Sequence, residues 1–166
     1  MNLGSCRFMD SEQDKMKIKK IENGVVIDHI PKGKGLAVLS ILGINEGFHA
    51  TVSMVMNTPS SSQGLKDIIK IEERALEEKE INKIALIAPA ATVNFVHEYQ
   101  IVKKRKISIP DAFEDVIRCP NPKCISNKEG RSLMKVEKKS PLHVRCAYCE
   151  RAYSQEELLA LSSFKA

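Results

Sequence analysis

The sequence predicts an α+β protein in two parts. The first is an antiparallel sheet of ferredoxin-like type with two helices on one face, the second a small C-terminal β module of zinc-ribbon or rubredoxin-like type. Three observations predict it. From Ile18 to Val102 the apolar spacing switches between strand and helix periods in the order β, α, β, β, α, β, β. The connections between these segments are too short for many parallel crossovers, which leaves an antiparallel sheet covered on one side. Four of the five cysteines fall in the stretch Cys119–Cys149, as CPNPKC and RCAYC, with C-x4-C and C-x2-C spacing.

The elements follow in order. Residues 1–17 are polar and without periodicity, and are expected to form a flexible extension. Asn23-Gly24 is a turn signal, and Val25-Val26-Ile27 opens a β-branched strand that ends at Pro31. Leu36–Leu42 carries apolar residues at helical spacing before Gly43. Phe48 to Met56 alternates as a half-buried strand, and Asn57–Gly64 (NTPSSSQG) reads as a loop on composition. Leu65–Ile71 is a strand; the acidic stretch Glu72–Glu80 leads into an amphipathic helix through Ile87, ended before Pro89. Thr92–Val96 and Tyr99–Val102 are short strands around a tight turn near His97-Glu98. Pro110 marks the boundary between a domain spanning 18–109 and one spanning 110–166. In the latter, Leu133, Lys135-Val136 and His143–Arg145 supply short strands. Ser154 with Glu157 is a capping-box signature for a last helix carrying Leu158, Leu159 and Leu161.

The cysteine pairs can place four sulfurs around one Zn²⁺; the other readings are four buried thiols or two disulfides. Pro120, Asn121 and Pro122 force turns within the first pair, which favours the metal. Cys119, Cys124, Cys146 and Cys149 would hold one structural ion per chain, because four thiolates leave no coordination position for substrate. About 50 residues bury too little apolar surface to fold unaided, so such a module depends on its metal. Cys6 stands in a polar segment and reads as a bystander.

No apolar run reaches the ~20 residues that span a bilayer, and the N-terminus lacks a signal-peptide core; a cytoplasmic protein with no membrane contact is expected. The net charge of +5 is uneven: residues 1–115 carry 16 basic and 16 acidic side chains, residues 116–166 carry 10 and 5. A basic zinc module could bind nucleic acid or an acidic protein surface, so a zinc-ribbon nucleic-acid-binding protein is the alternative reading. Catalytic motifs are absent from the sequence, with no G-x-S-x-G, H-E-x-x-H, phosphate-binding loop or G-x-G-x-x-G. Asp28 and His29 are adjacent on a strand and should point to opposite faces, which excludes a dyad. Lys103–Lys106 is a solvated strand end or a phosphate-binding patch.

Five strings occur in one order: VVIDHIP (25–31), KDIIKIE (66–72), LIAPAATVN (86–94), CPNPKCIS (119–126) and RCAYCE (145–150). Together they resemble the regulatory chains of aspartate carbamoyltransferase over residues 18–158. The resemblance implies a non-catalytic allosteric subunit in pyrimidine biosynthesis that binds nucleoside triphosphates (CTP or UTP, and ATP), not nucleic acid. It implies a zinc domain that contacts the catalytic chain, and a regulatory homodimer within a holoenzyme of catalytic trimers and regulatory dimers. Carried over by motif, the nucleotide pocket falls on Val26, Asp28, His29, Lys70, Asn94, Val96, Tyr99, Ile101 and Lys104. Ile18, Lys19, Lys20 and Ile21 would line the base, largely through their main chain. The sequence departs from the family's enteric members at Lys19-Lys20, where they have Glu-Ala, and at Phe95, where they have a basic residue. It also has a shorter loop between the cysteine pairs.

Overall fold

The computed structural model describes residues 20–61 and 64–160. Its first half runs β1 (Gly24–Pro31), α1 (Gly35–Ile41), β2 (Val52–Ser60), β3 (Gly64–Glu72), α2 (Glu78–Ile87), β4 (Thr92–His97) and β5 (Gln100–Lys106). The strands form one antiparallel sheet in the order β2-β3-β1-β4-β5. The first four strands with α1 and α2 make the ferredoxin-like βαββαβ arrangement, and β5 extends it as a hairpin partner of β4.

Strand periodicity sorts the two faces. Val25, Ile27, Ile69, Ile71 and Val93 point to one side and are fully buried against Val38 and Ile41 of α1 and Ile81, Ile84 and Ala85 of α2. Val26, Asp28, Ile68 and Lys70 alternate with them and face away from the helices. α2 begins later than the acidic run suggests. β3 continues through Glu72, and the helix is started by a capping box in which the Glu77 amide donates to Glu80 Oε2 at 2.9 Å.

The backbone overrides composition in three places. Asn57–Ser60 is strand, not loop: it pairs with Gly64–Lys66 beyond a bulge in which Asn57 takes φ 59°. The strand after α1 starts at Val52, while Phe48 lies in the preceding loop beneath the Arg74 guanidinium, 5.3 Å from the ring centre. Tyr99 belongs to the β4–β5 turn, where Glu98 (φ 48°) and Tyr99 (φ 61°) are both left-handed, as two-residue hairpin loops of the primed type require. The strand that follows runs on to Lys106.

The second half holds β6 (Ala112–Glu114), α3 (Ile125–Glu129), β7 (Leu133–Lys139), β8 (Leu142–Cys146), β9 (Ala152–Ser154) and α4 (Gln155–Ala160), with sheet order β6-β7-β8-β9. Phe113, Ile117, Met134, Leu142, Val144 and Leu158 form its core together with the cysteines. The capping box at α4 is present: the Ser154 amide donates to Glu157 Oε2 at 2.7 Å, and the Glu157 amide to Ser154 Oγ at 3.3 Å. α3 was not expected; it ends at Gly130, whose φ of 72° suits glycine.

The halves interlock. Leu86, at the end of α2, is fully buried in the second core, and Leu159 of α4 packs against the first. Gln155 Nε2 donates to the Leu86 carbonyl at 2.6 Å, satisfying an acceptor the helix end leaves open. Cys6, Leu161 and residues 1–17 lie outside the described residues.

Candidate functional site

The four cysteines converge from two turns. In the first, the Cys124 amide donates to the Asn121 carbonyl (3.0 Å) and the Lys123 amide to Asn121 Oδ1 (3.1 Å). Asn127, on α3, closes this wide C-x4-C loop from outside by donating Nδ2 to the carbonyls of Cys119 and Asn121, both at 2.9 Å. In the second, Cys146 ends β8, and the Glu150 amide donates to its carbonyl at 3.0 Å, with Glu150 left-handed at φ 58°.

All four Sγ atoms lie within 4.8 Å of one another. Cys119 and Cys149 are 3.6 Å apart, Cys124 and Cys146 3.8 Å. A tetrahedron with Zn–S bonds of about 2.3 Å has edges of about 3.8 Å, whereas a disulfide needs about 2.05 Å. The donor set therefore fits one zinc ion, with every tetrahedral position filled by sulfur. Three of the thiols are buried and Cys149 is partly exposed. Their acidities are pulled apart: burial pushes Cys119 up to about 12. At Cys149 burial is outweighed by hydrogen bonds from the Arg151 amide and Asn121, which bring it down to about 6. Sulfurs so crowded ionise together only around a cation. Two hydroxyls adjoin the cluster: Tyr153 Oη lies 3.6 Å from Cys119 Sγ and Ser126 Oγ 3.1 Å from Cys124 Sγ.

The second candidate site is the helix-free face of the larger sheet. Residues directly opposite in antiparallel strands share a face, and the register aligns Ser53, Lys70, Val26, Asn94 and Lys104 in one row across all five strands. Asp28 and Thr92 stand opposite each other on the same face, as do Val96 and Ile101. Burial lowers the pKa of Lys70. Asn94 is buried, and its Oδ1 has no hydrogen-bond partner among the described residues.

Asp28 is held by Lys66, whose Nζ lies 2.8 Å from Oδ1 and 3.0 Å from Oδ2. Lys66 was missed in the sequence, although its offsets of two residues from Ile68 and four from Lys70 place it on their face. The expected divergence of Asp28 and His29 fails. A bulge between Ile27 and Ile30 puts His29 at φ 61°, and its amide donates to Asp28 Oδ1 at 2.6 Å. The ring Nδ1 comes within 3.3 Å of Asp28 Oδ2 but without hydrogen-bond geometry.

From the core side, Asp67 braces this region. Fully buried on β3, its carboxylate accepts the amides of Gly35 and Asn57, both at 3.0 Å, and so fixes the start of α1 and the β2 bulge. A Cβ on Gly35 would come 2.9 Å from Met54 Sδ and 3.2 Å from Asp67 Oδ2, so a side chain there would displace the Met54 thioether and crowd the carboxylate. At the far end of the face, Tyr99 is exposed, and its amide and hydroxyl donate to the Glu22 carbonyl (3.0 Å) and carboxylate (3.3 Å). That contact ties the hairpin tip to the segment after Lys20 and Ile21, of which Lys20 is exposed and Ile21 buried. Ile18 and Lys19 lie outside the described residues. A separate cleft of about 630 Å³ is lined by Arg74, Glu77, Lys79, Glu80, Lys83 and Asp115. Its charges oppose one another, with Arg74 paired to Glu80, so it offers no field of one sign.

No helix among the described residues is long and apolar enough to cross a membrane. Two family models match the chain: "Aspartate carbamoyltransferase regulatory chain, allosteric domain" over residues 16–108, and "Aspartate carbamoyltransferase regulatory chain, metal binding domain" over residues 111–159. Curated relatives described as aspartate carbamoyltransferase regulatory chains agree over most of their length. The Thermococcus gammatolerans protein is 51% identical over 145 residues, covering 87% of this chain and 96% of the relative. That of Pyrococcus furiosus is 50% identical over 147 residues, covering 87% and 97%. That of Saccharolobus solfataricus is 43% identical over 151 residues, covering 90% and 95%.

Proposed function

Because this chain belongs to the aspartate carbamoyltransferase regulatory chain family, a non-catalytic one with an allosteric and a metal-binding domain, we propose that it senses nucleoside triphosphates on the open sheet face. The allosteric domain would span 18–109 and the zinc-binding domain 110–166. The observation that carries the reading is the row Lys70, Val26, Asn94 and Lys104, in which Asn94 Oδ1 has no partner among the described residues. A buried acceptor without a partner costs about 1–3 kcal/mol, which a ligand hydroxyl or amine relieves. Lys70 and Lys104 supply cations for triphosphate oxygens, and Asp28, steadied by Lys66, accepts from ribose hydroxyls. His29, Val96, Tyr99 and Ile101 bound the pocket, and the main chain of residues 18–21 reads the base edge of CTP, UTP or ATP.

With no chemistry of its own, the chain acts by differential affinity. A nucleotide alters catalysis by binding more tightly when the attached catalytic chains adopt one quaternary state, a coupling of about 1–3 kcal/mol. Cys119, Cys124, Cys146 and Cys149 hold one zinc ion, which organises the module pressed against the catalytic chain. Regulatory chains pair as homodimers that join catalytic trimers; the outer edge of β5, unpaired among the described residues and with Ile101 and Val102 exposed, supports contact with a second copy.

Titration calorimetry of the zinc-loaded chain with CTP and with ATP tests the nucleotide site. Lys104→Ala removes a charge-assisted contact worth about 1.5 kcal/mol, so affinity should fall about tenfold for both ligands. Unchanged affinity would take Lys104, and with it the row, out of the site.

A further inference from the structure

We propose that Tyr153 is a positioning residue for the metal centre: its phenol donates an outer-sphere hydrogen bond to the Cys119 thiolate and thereby slows loss of the ion. This rests on the zinc reading of the four thiols. Tyr153 stands at the centre of β9, opposite Val144, with its ring in the core of the module and its hydroxyl 3.6 Å from Cys119 Sγ. Between two neutral groups either could donate. A metal-bound sulfur has no proton, so the bond can run in one sense only, from phenol to thiolate.

The electrostatics explain why such a donor is useful. Four thiolates around a divalent ion leave a net charge of −2 in a largely buried site, which must be compensated by hydrogen bonds. The compensation is shared between backbone and side chains. Cys146 receives the amides of Tyr148 and Cys149, Cys149 the Arg151 amide and the Asn121 side chain, and Cys119 the Asn121 amide. Two hydroxyls add to these, Ser126 at Cys124 and Tyr153 at Cys119. Tyr153 comes from the far end of the module, 34 residues after Cys119. It thus ties the first turn to β9, which leads directly into α4.

Full-length chain loaded with Co²⁺ in place of zinc gives the test, because thiolate-to-cobalt charge-transfer energy reports electron density on sulfur. Tyr153→Phe keeps the ring and deletes the donor. The band should move to lower energy, and transfer of zinc from the zinc-loaded variant to a chelator at fixed pH should quicken about tenfold. Should the variant fail to load, parent chain carrying 3-fluorotyrosine, a stronger donor, decides: its band should move to higher energy. A parent that lacks the thiolate–cobalt band overturns the metal reading and this inference with it. A normal parent band, with Tyr153→Phe unchanged in both band and transfer rate, overturns this inference alone, as does an unmoved fluorotyrosine band.

Discussion

Leu86→Ala should uncouple the two halves of the chain. Leu86 belongs by sequence to α2, yet its side chain is fully buried in the core of the thiol-bearing module, beside residues such as Phe113 and Leu158. Truncation removes its transfer free energy and leaves a cavity between units that relax independently, a loss of about 3 kcal/mol. At a slope of about 1.5 kcal/mol/M in urea, the midpoint should fall by about 2 M. Two probes are needed: far-ultraviolet circular dichroism for the helices, and a zinc-sensitive dye for the module. In the parent the two transitions should coincide; in the variant, zinc release should come first. Leu36→Ala, exposed on α1, serves as the control and should change stability by less than about 0.5 kcal/mol. A Leu86→Ala loss below about 1 kcal/mol with coincident transitions would refute the interlocking described above.

Two further outcomes follow from the same structure. Chelating zinc should unfold residues ~110–160 and release the catalytic partner, since a module this small folds at the expense of its metal's binding free energy. Sizing chromatography of the metal-free mixture reads this directly, and a complex that survives refutes it. Lys70→Met should raise the thermal midpoint at neutral pH while weakening nucleotide binding. Burial lowers the Lys70 pKa from 10.5, so its charged form disfavours folding below the folded pKa, and that penalty disappears as pH rises through the lysine range. The stability gain should therefore shrink toward pH 10.5. A gain independent of pH would refute burial as its cause.

The parts of the fold legible in the sequence are those written in side-chain chemistry. Alternating aliphatics marked β1 and β3, Ser154 and Glu157 marked the start of α4, and cysteine spacing marked the thiol cluster. What escaped depends on backbone partners distant in sequence. Asn57–Ser60 has a loop's composition, yet beyond the bulge Thr58, Pro59 and Ser60 stand in register with Lys66, Leu65 and Gly64 of β3. The bulge that brings His29 back to Asp28 leaves no mark in the string VVIDHIP. α3 has five residues, too few to show a helical period. Lys66 was passed over because a lysine at a strand end reads as solvated, and only the register shows Asp28 within reach.

Asp67 has a thermodynamic consequence for whatever settles on the open face. Through the Asn57 amide this one carboxylate pins the β2 bulge, and through the Gly35 amide it pins the start of the helix that follows β1. The irregular backbone beneath the residues proposed to hold nucleotide is thereby ordered during folding. Conformational entropy lost at that stage is not lost again on association. A ligand arriving there meets a surface already set, so its contacts register as affinity instead of being consumed in arranging the protein.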